Sequence, residues 1–347
     1  MKILNVPIEP IEERYTIQWD RWFRKEFAET AKKENSDFRY FTILGEDTSG
    51  KISNGSFLDV CETNVYKTQQ LERLIRIIKK QDPSELLVIF FQDLWFPGIV
   101  NLAYIRDGLG LENVKITGCL HAGAYDPYDF LSKKGMGVWA EHLENAIFKA
   151  VDQIYVATHF HKQLVTGARQ ADPAKVHVTG FPIFNDFVPP LPKEKENLVV
   201  FPHRLDSEKN PHLFDRLCRL KTRYPQWNFI KTKNEVSTKA EYFSLLSRAK
   251  VAVSFADQET WGIAMQEAAL CGAIPVCPNR LSYKEMYPKE LLFEDMEDAV
   301  QLIEDIMNGL RWHYDVHLPV IQDTIRQKGA AAIPNMIDCM RRLSWNL

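Results

Sequence analysis

The sequence predicts an α/β protein of two doubly wound, Rossmann-like domains, and three observations carry that expectation. Strand and helix patterns alternate from end to end, which implies βαβ units and parallel sheets. The proline-rich, polar stretch from Phe181 to Asn197 interrupts the alternation as a linker does. At 347 residues the chain exceeds what one ordinary core fills, so two domains are expected.

In the first series, strands are expected at Lys2–Ile8, Phe38–Leu44, Leu86–Gln92, Lys115–Leu120, Gln153–Ala157 and Lys175–Thr179. Helical patterns lie between them at Ile17–Ala31, Val65–Lys80 and Val138–Ala150. In the second of these, Leu71, Leu74, Ile75 and Ile78 recur at helical spacing. The second series reads strand Leu198–Pro202, helix Pro211–Tyr224, strand Asn228–Thr232 and helix Lys239–Arg248. Strand Val251–Ala256, helix Ile263–Cys271, strand Ile274–Cys277 and helix Glu297–Asn308 follow. A last helical stretch runs from Leu318 to Leu343. The expected domains are therefore 1–185, 186–317 and a C-terminal helical segment, 318–347, returning toward the first. Ligands of such sheets bind beyond the carboxyl ends of the strands, so chemistry is expected in a cleft that both domains face.

Composition narrows the class. A hydrophobic fraction of 45% and a charged fraction of 26% are those of a soluble globular protein. The longest apolar run, Leu86–Phe91, falls far short of the ~20 residues of a membrane helix. The opening segment is too short for a signal peptide and reads as a first strand. The six cysteines form no Cys-x-x-Cys pair, which favours reduced thiols and a cytoplasmic setting. A net charge of −3 gives no global reason to bind nucleic acid.

Two segments of the second domain concentrate the chemistry. Ser254 to Val276 reads as the end of a buried strand, a tight turn, a helix and a strand re-entry, with Glu259 and Glu267 flanking Gly262. Gly262 permits close backbone approach, and the amides of Gly262, Ile263 and Ala264 open a helix where phosphate is attracted. Phe201-Pro-His203-Arg204-Leu-Asp-Ser-Glu-Lys209-Asn-Pro211 follows the first strand of the same domain. Its guanidinium can grip phosphate oxygens bidentately, and Lys209 adds a compact charge.

In the first domain, His121 stands among glycines at a strand end, in a loop that continues through Asp126. A neutral imidazole there can bond a ligand hydroxyl, or it can be a hydrogen-bonded structural histidine. Asp93 and Trp95 are weaker acceptor-side candidates, Asp93 being equally placed to cap a helix beginning near Pro97. Arg21, Arg24 and Lys25, or Lys133 and Lys134, are candidate phosphate contacts or solvated faces. His313 and His317 are four apart but lack a third ligand in register, so no metal site is expected. No Gly-x4-Gly-Lys-Ser/Thr run and no Gly-x-Gly-x-x-Gly turn is present.

Glu259 and Glu267 form a Glu-x7-Glu motif that resembles the family-4 type of retaining GT-B glycosyltransferases. Pro202-His-Arg204, Glu259-Thr-Trp-Gly-Ile-Ala-Met-Gln-Glu267 and Pro278-Asn-Arg-Leu-Ser-Tyr-Lys-Glu-Met-Tyr-Pro288 look like the enzymes that mannosylate queuosine in tRNA. The opening from Val6 to Trp22, with the His121-Ala-Gly loop, looks like phage-encoded enzymes of DNA hypermodification. The resemblance implies transfer of a sugar from a UDP- or GDP-sugar with retention and without a metal or other cofactor. It assigns Arg204 and Lys209, with His203, to the donor diphosphate. Glu259, Gly262, Ile263 and Ala264 fall to sugar and phosphate, Glu267 to the ribose, and His121 to sugar or acceptor. The acceptor it favours is a hydroxyl on a modified nucleobase, first a hydroxymethylated pyrimidine of DNA, with tRNA beside it. One departure is Glu9-Pro10, where many relatives carry a glycine pair. Two rivals stay open: a small-molecule, glycan or lipid-linked acceptor, and a nucleotide-sugar-binding module without catalysis.

Overall fold

A computed structural model describes residues 1–12, 14–34, 38–46, 59–309 and 313–343. The chain divides into two compact units, Met1–Pro182 with Ala331–Leu347, and Ile183–Ala330. The sequence reading drew these boundaries at 185/186 and 317/318. The second division falls inside the helix Leu318–Arg342 because the start of that helix is bonded into the second unit. There the Gln322 amide donates to the Ala269 carbonyl at 2.8 Å and Lys328 to the Glu285 carbonyl at 2.9 Å.

The first unit holds strands β1 (Lys2–Val6), β2 (Arg39–Thr42), β3 (Leu87–Phe91), β4 (Val114–Cys119), β5 (Gln153–Val156) and β6 (Val176–Val178). They form one sheet, ordered β2-β1-β3-β4-β5-β6, with every pairing parallel. Each lies where a strand was expected. β1 stops short of Ile8 because Pro7 has no N–H for the ladder. Alternate residues of β1 and β3 serve two layers. Leu4, Val6, Ile89 and Phe91 face a cluster with Leu74, Ile78, Ile99 and Leu102. Phe90 faces the other way, 5.1 Å from Phe23 on the helix Tyr15–Glu34. Trp19 and Trp22, three residues apart on that helix, are both buried. The end of the last helix completes this unit: Gln153 donates to the Cys339 carbonyl at 3.0 Å, and Met336 lies against Cys119.

The second unit holds β7 (Glu196–Phe201), β8 (Asn228–Lys231), β9 (Ala249–Val253), β10 (Ile274–Pro278) and β11 (Leu292–Phe293). Their order is β11-β10-β9-β7-β8, again parallel throughout. β11 escaped the sequence reading because two residues carry no period. The helix expected over Pro211–Tyr224 is two pieces, Pro211–Leu217 and Leu220–Arg223. Between them the bonding tightens to three-residue steps, Arg219 to Arg216 and Lys221 to Cys218, and Pro225 bars further helix at Tyr224.

One glycine of the last helix is dictated by packing. A Cβ at Gly329 would run into the carbonyl oxygen of Ile183. Alanine is the better helix former by about 1 kcal/mol, yet here backbone meets backbone and neither side can rotate away. Gly329→Ala is therefore expected to lower stability by about 1–3 kcal/mol, the range of overpacking. Thermal unfolding checks this; an unchanged or raised Tm would show that propensity wins.

Candidate functional site

In both sheets the strand order reverses once, and ligands of doubly wound folds sit beyond such a point. In the second unit the reversal lies between β7 and β9, which pair directly, so their carboxyl-end loops emerge side by side. Residues 202–210 come from the first strand and residues 254–262 from the second. The Asp257 amide donates to the Glu208 carbonyl at 2.8 Å. The Asn210 amide group donates to the Phe255 carbonyl at 2.9 Å and to Asp257 at 2.7 Å. From the neighbouring β10 loop, Arg280 reaches Asp257 at 2.7 Å.

This stitching brings Lys209 and Glu259 together. Lys209 Nζ lies 3.2 Å from Glu259 Oε2 and also donates to the Gln258 carbonyl. Glu259 Oε1 accepts the Gly262 N–H at 3.0 Å. Burial pushes the Glu259 carboxyl up, but Lys209 and the Gly262 amide outweigh it, and its pKa lies below the usual value. Gly262 has φ 70°, and its missing Cβ would lie 3.3 Å from the Tyr283 ring, so both conformation and packing call for glycine. The helix Ile263–Leu270 starts there. The Ile263 and Ala264 amides have no acceptor among the described residues and point out of the helix start.

The other candidates of this unit are placed differently. Arg204 is paired with Asp206 at 3.0 Å and Glu208 at 2.5 Å rather than with Glu259. Glu267 is buried and 3.4 Å from Lys239, itself over the Tyr242 ring. Glu208, Gln258, Lys239 and Arg280 escaped the sequence reading. Only the odd charge at Glu208 and the Pro278-Asn-Arg280 turn hinted at them. His203 is buried, and its Nε2 has no hydrogen-bond partner among the described residues. Burial first, then the charge of Lys209, pushes its pKa down to about 3, so the ring is neutral at physiological pH.

The reversal in the first unit lies between β1 and β3. Past those ends stand Glu9, whose Oε2 accepts from Thr63 at 2.6 Å, and Lys67, which donates to the Trp95 carbonyl at 2.6 Å. Burial pulls the Lys67 ammonium down in pKa, with Asp93 and Glu9 opposing. Both residues were missed, Glu9 because it was read only as a departure from a glycine pair. Asp93 does not cap the following helix: it accepts the Trp95 amide at 3.1 Å, and the helix Gly98–Gly108 begins at Pro97 without a side-chain cap. Trp95 donates its indole N–H to Glu144 at 3.0 Å, and Asp126 accepts the Tyr128 amide at 2.9 Å.

His121 is a structural hub. Its Nε2 donates to the Gln92 carbonyl at 2.8 Å, which leaves Nδ1 to accept from the Tyr15 hydroxyl at 3.0 Å. Trp19 and Phe181 flank the ring at 4.6 and 4.9 Å. A bond from His121 to a substrate hydroxyl, as the sequence reading expected, must first displace one of these partners. Burial lowers its pKa and keeps it neutral. His313 and His317 stack at 5.6 Å, but no group of three potential ligands able to hold a metal occurs among the described residues. Nor is any described helix long and apolar enough to cross a membrane.

No protein-family model matches the chain. A tRNA-queuosine alpha-mannosyltransferase of Drosophila melanogaster is 34% identical over 119 residues, 27% of this chain and 32% of the relative. The chain's match thus spans about a third of the length of that curated relative. Among solved structures, sucrose-phosphate synthase of Thermosynechococcus elongatus has a TM-score of 0.66 at 13% identity, each chain covered completely. Anabaena HepE in complex with UDP gives 0.62 at 10% identity, again over 100% of both chains. A UDP-forming alpha,alpha-trehalose-phosphate synthase of Burkholderia vietnamiensis gives 0.60 at 12%, over 96% of this chain and 84% of the other. The likeness is one of fold, and the chain has the GT-B fold expected from its sequence.

The neutral state of His203 has a consequence for stability. An unfolded histidine titrates near 6.5, so between about pH 3 and 6.5 the unfolded chain binds the extra proton and the native state does not. Stability contributed by this group is therefore lost as pH falls through that window. His203→Gln should flatten the slope between pH 4.5 and 6.0 by up to about 1.4 kcal/mol per pH unit. Urea unfolding of both proteins measures it; parallel slopes would show a histidine that protonates freely in the fold.

Proposed function

We propose that the protein is a retaining glycosyltransferase that moves a sugar from a nucleotide-diphosphate sugar to a hydroxyl on a modified nucleobase. The observation that carries the donor half is the Lys209–Glu259 pair beside the open amides of Ile263 and Ala264, at the strand-order reversal of the second unit. One ammonium, a helix start and a guanidinium within the same two loops match the needs of a departing diphosphate. The resemblance in the Glu-x7-Glu segment and the UDP-bound state of the Anabaena neighbour support the same donor class.

In this reading the bond between the anomeric carbon and the β-phosphate oxygen breaks, and its electron pair leaves on the diphosphate. The acceptor oxygen bonds the anomeric carbon from the same face, and its proton passes to the departing phosphate oxygen. Lys209 and Arg204 stabilise the charge that develops, and Arg204 must exchange Asp206 or Glu208 for phosphate to do so. Glu259 positions the sugar, Glu267 the ribose, and His203 stands beside the phosphates. No metal or other cofactor enters. The nucleobase acceptor rests on the motifs shared with queuosine-mannosylating and DNA-hypermodifying enzymes, and on the tRNA-queuosine relative. Asp93, Lys67 and Glu9, past the strand ends of the first unit, are the groups proposed to meet it.

The test has two parts. UDP and GDP, added singly, should raise the Tm of the wild-type protein, since a ligand that binds only the native state stabilises it by mass action. Transfer from a panel of UDP- and GDP-sugars to hydroxymethylated DNA, queuosine-containing tRNA and simple sugars is then followed by mass spectrometry. Lys209→Ala should lower turnover by about 10²–10³-fold, the scale of one lost electrostatic contact to the transition state. Near-normal turnover in that variant would remove Lys209 from the mechanism. Product on simple sugars alone would replace the nucleobase acceptor.

A further inference from the structure

The crossover from β7 to β8 carries a charge pattern that the candidate site does not use. Between Asp215 and Glu235 stand Arg216, Arg219, Lys221, Arg223, Lys231 and Lys233 with no acidic residue among them, in a chain whose net charge is −3. Lys231 is paired with Asp215 at 2.7 Å. Arg216, Arg219 and Arg223 instead line one groove of about 380 Å³, floored by Leu220 with Met296 and Val300 opposite. Although the helix breaks between Leu217 and Leu220, all three line the same groove. Across the groove, the helix Met296–Met307 presents apolar side chains, and of its acids Glu304 meets the stripe by pairing with Arg223 at 2.9 Å. Arg223 also lies over the Tyr224 ring, which stacks on Trp227. The side chains of Arg216 and Arg219 are exposed and have no ion-pair partner among the described residues.

Three guanidiniums lining one groove repel one another, and the one carboxylate paired there offsets only part of that. The seven steps from Arg216 to Arg223 mix α-helical and three-residue turns and rise roughly 10–14 Å, the axial span of about three or four phosphates on one strand. Planar guanidiniums on an apolar floor suit phosphodiester oxygens and the sugar faces beside them. The crossover also sets the distance from the candidate site. β7 and β8 are parallel, so the crossover leaves the Lys209 end of the sheet and returns to the other end, one strand length away, roughly 13–20 Å for four to six residues; a polymer bridges that span and a free nucleoside does not.

We propose that this arginine groove docks the phosphodiester backbone of a polynucleotide while a base of the same strand is presented for modification. The proposal rests on the nucleobase-acceptor reading above and makes no use of the donor residues. The basic clusters nearer the N-terminus are less suited to hold a backbone, since Arg24, for one, is paired with Asp20 at 2.8 Å.

The experiment measures binding of a fluorescent RNA hairpin and of a single-stranded DNA by anisotropy, at 50 and 200 mM salt, with the whole protein. The double variant Arg216→Glu, Arg219→Glu is compared with Arg216→Lys, Arg219→Lys, leaving Arg223 and its Glu304 pair intact. The glutamate variant is expected to bind at least about tenfold more weakly at 50 mM. Its log–log salt slope should fall by roughly 1.4–1.8, two contacts at about 0.7–0.9 each. The lysine variant should bind nearly as the wild type does, and UDP- or GDP-induced stabilisation should be equal in all three. Whichever of RNA and DNA binds with the steeper slope names the polymer. Unchanged affinity in the glutamate variant overturns the proposal, as does a wild-type protein that binds neither polymer. Equal competition by polyglutamate of matched charge overturns it too. Absent nucleotide stabilisation in the wild type, with groove-dependent RNA or DNA binding intact, would instead remove the donor reading and leave this one standing.

Discussion

The ion pair between Lys209 and Glu259 is the constraint on which the second unit's candidate site depends. Its members are fifty positions apart and meet because β7 and β9 are neighbours pointing the same way. Taking two charges out of water is costly, and removing one partner leaves the other uncompensated at about 3–5 kcal/mol. The loops are accordingly tied by further bonds, from Asn210 to Phe255 and Asp257 and from Asp257 to the Glu208 carbonyl. Buried, bonded charges at a strand-order reversal stand where ligands of such sheets bind.

Much of this was legible in the sequence because parallel sheets are written in nearly continuous apolar runs. Leu87–Phe91 and Val251–Val253 are fully buried, and no turn residue blurs their ends. Gly262 was legible for a similar reason: a helix start with φ 70° admits few residues other than glycine. What stayed hidden depended on partners distant in sequence. Nothing local says that Arg204 will pair with Asp206 and Glu208 instead of Glu259. Nothing local says that both nitrogens of His121 will be engaged by Tyr15 and the Gln92 carbonyl. A histidine between glycines at a strand end looks the same whether it waits for substrate or holds an aromatic layer together.

The first unit concentrates charge past the ends of its strands. Glu9, Lys67 and Asp93 lie past the ends of β1 and β3, close enough that each carboxylate acts on the Lys67 ammonium. Burial works against that charge, so Lys67 is held by its bond to the Trp95 carbonyl and by the two acids together. Glu144 plays the matching part deeper in, taking Trp95 and the Ala124 amide on one oxygen and Arg169 on the other. Trp95 is thus positioned from both ends, which makes it a support for whatever Asp93 and Lys67 meet.

Glu259 makes two bonds at once, and their combination explains why this loop needs little rearrangement. One oxygen meets Lys209, and the other holds the Gly262 N–H, which orients the Ile263 and Ala264 amides that follow. Tyr283 closes over Gly262 and is itself anchored by a 2.7 Å bond to Ser254. Arg280 braces the opposite side of the loop through the Phe255 and Ala256 carbonyls. A ligand arriving at those two amides therefore meets a backbone already held in place. The same rigidity limits what can change there. A substitution that frees Glu259 from Lys209 also releases Gly262, so the ammonium and the helix start act as one unit rather than as separable contacts.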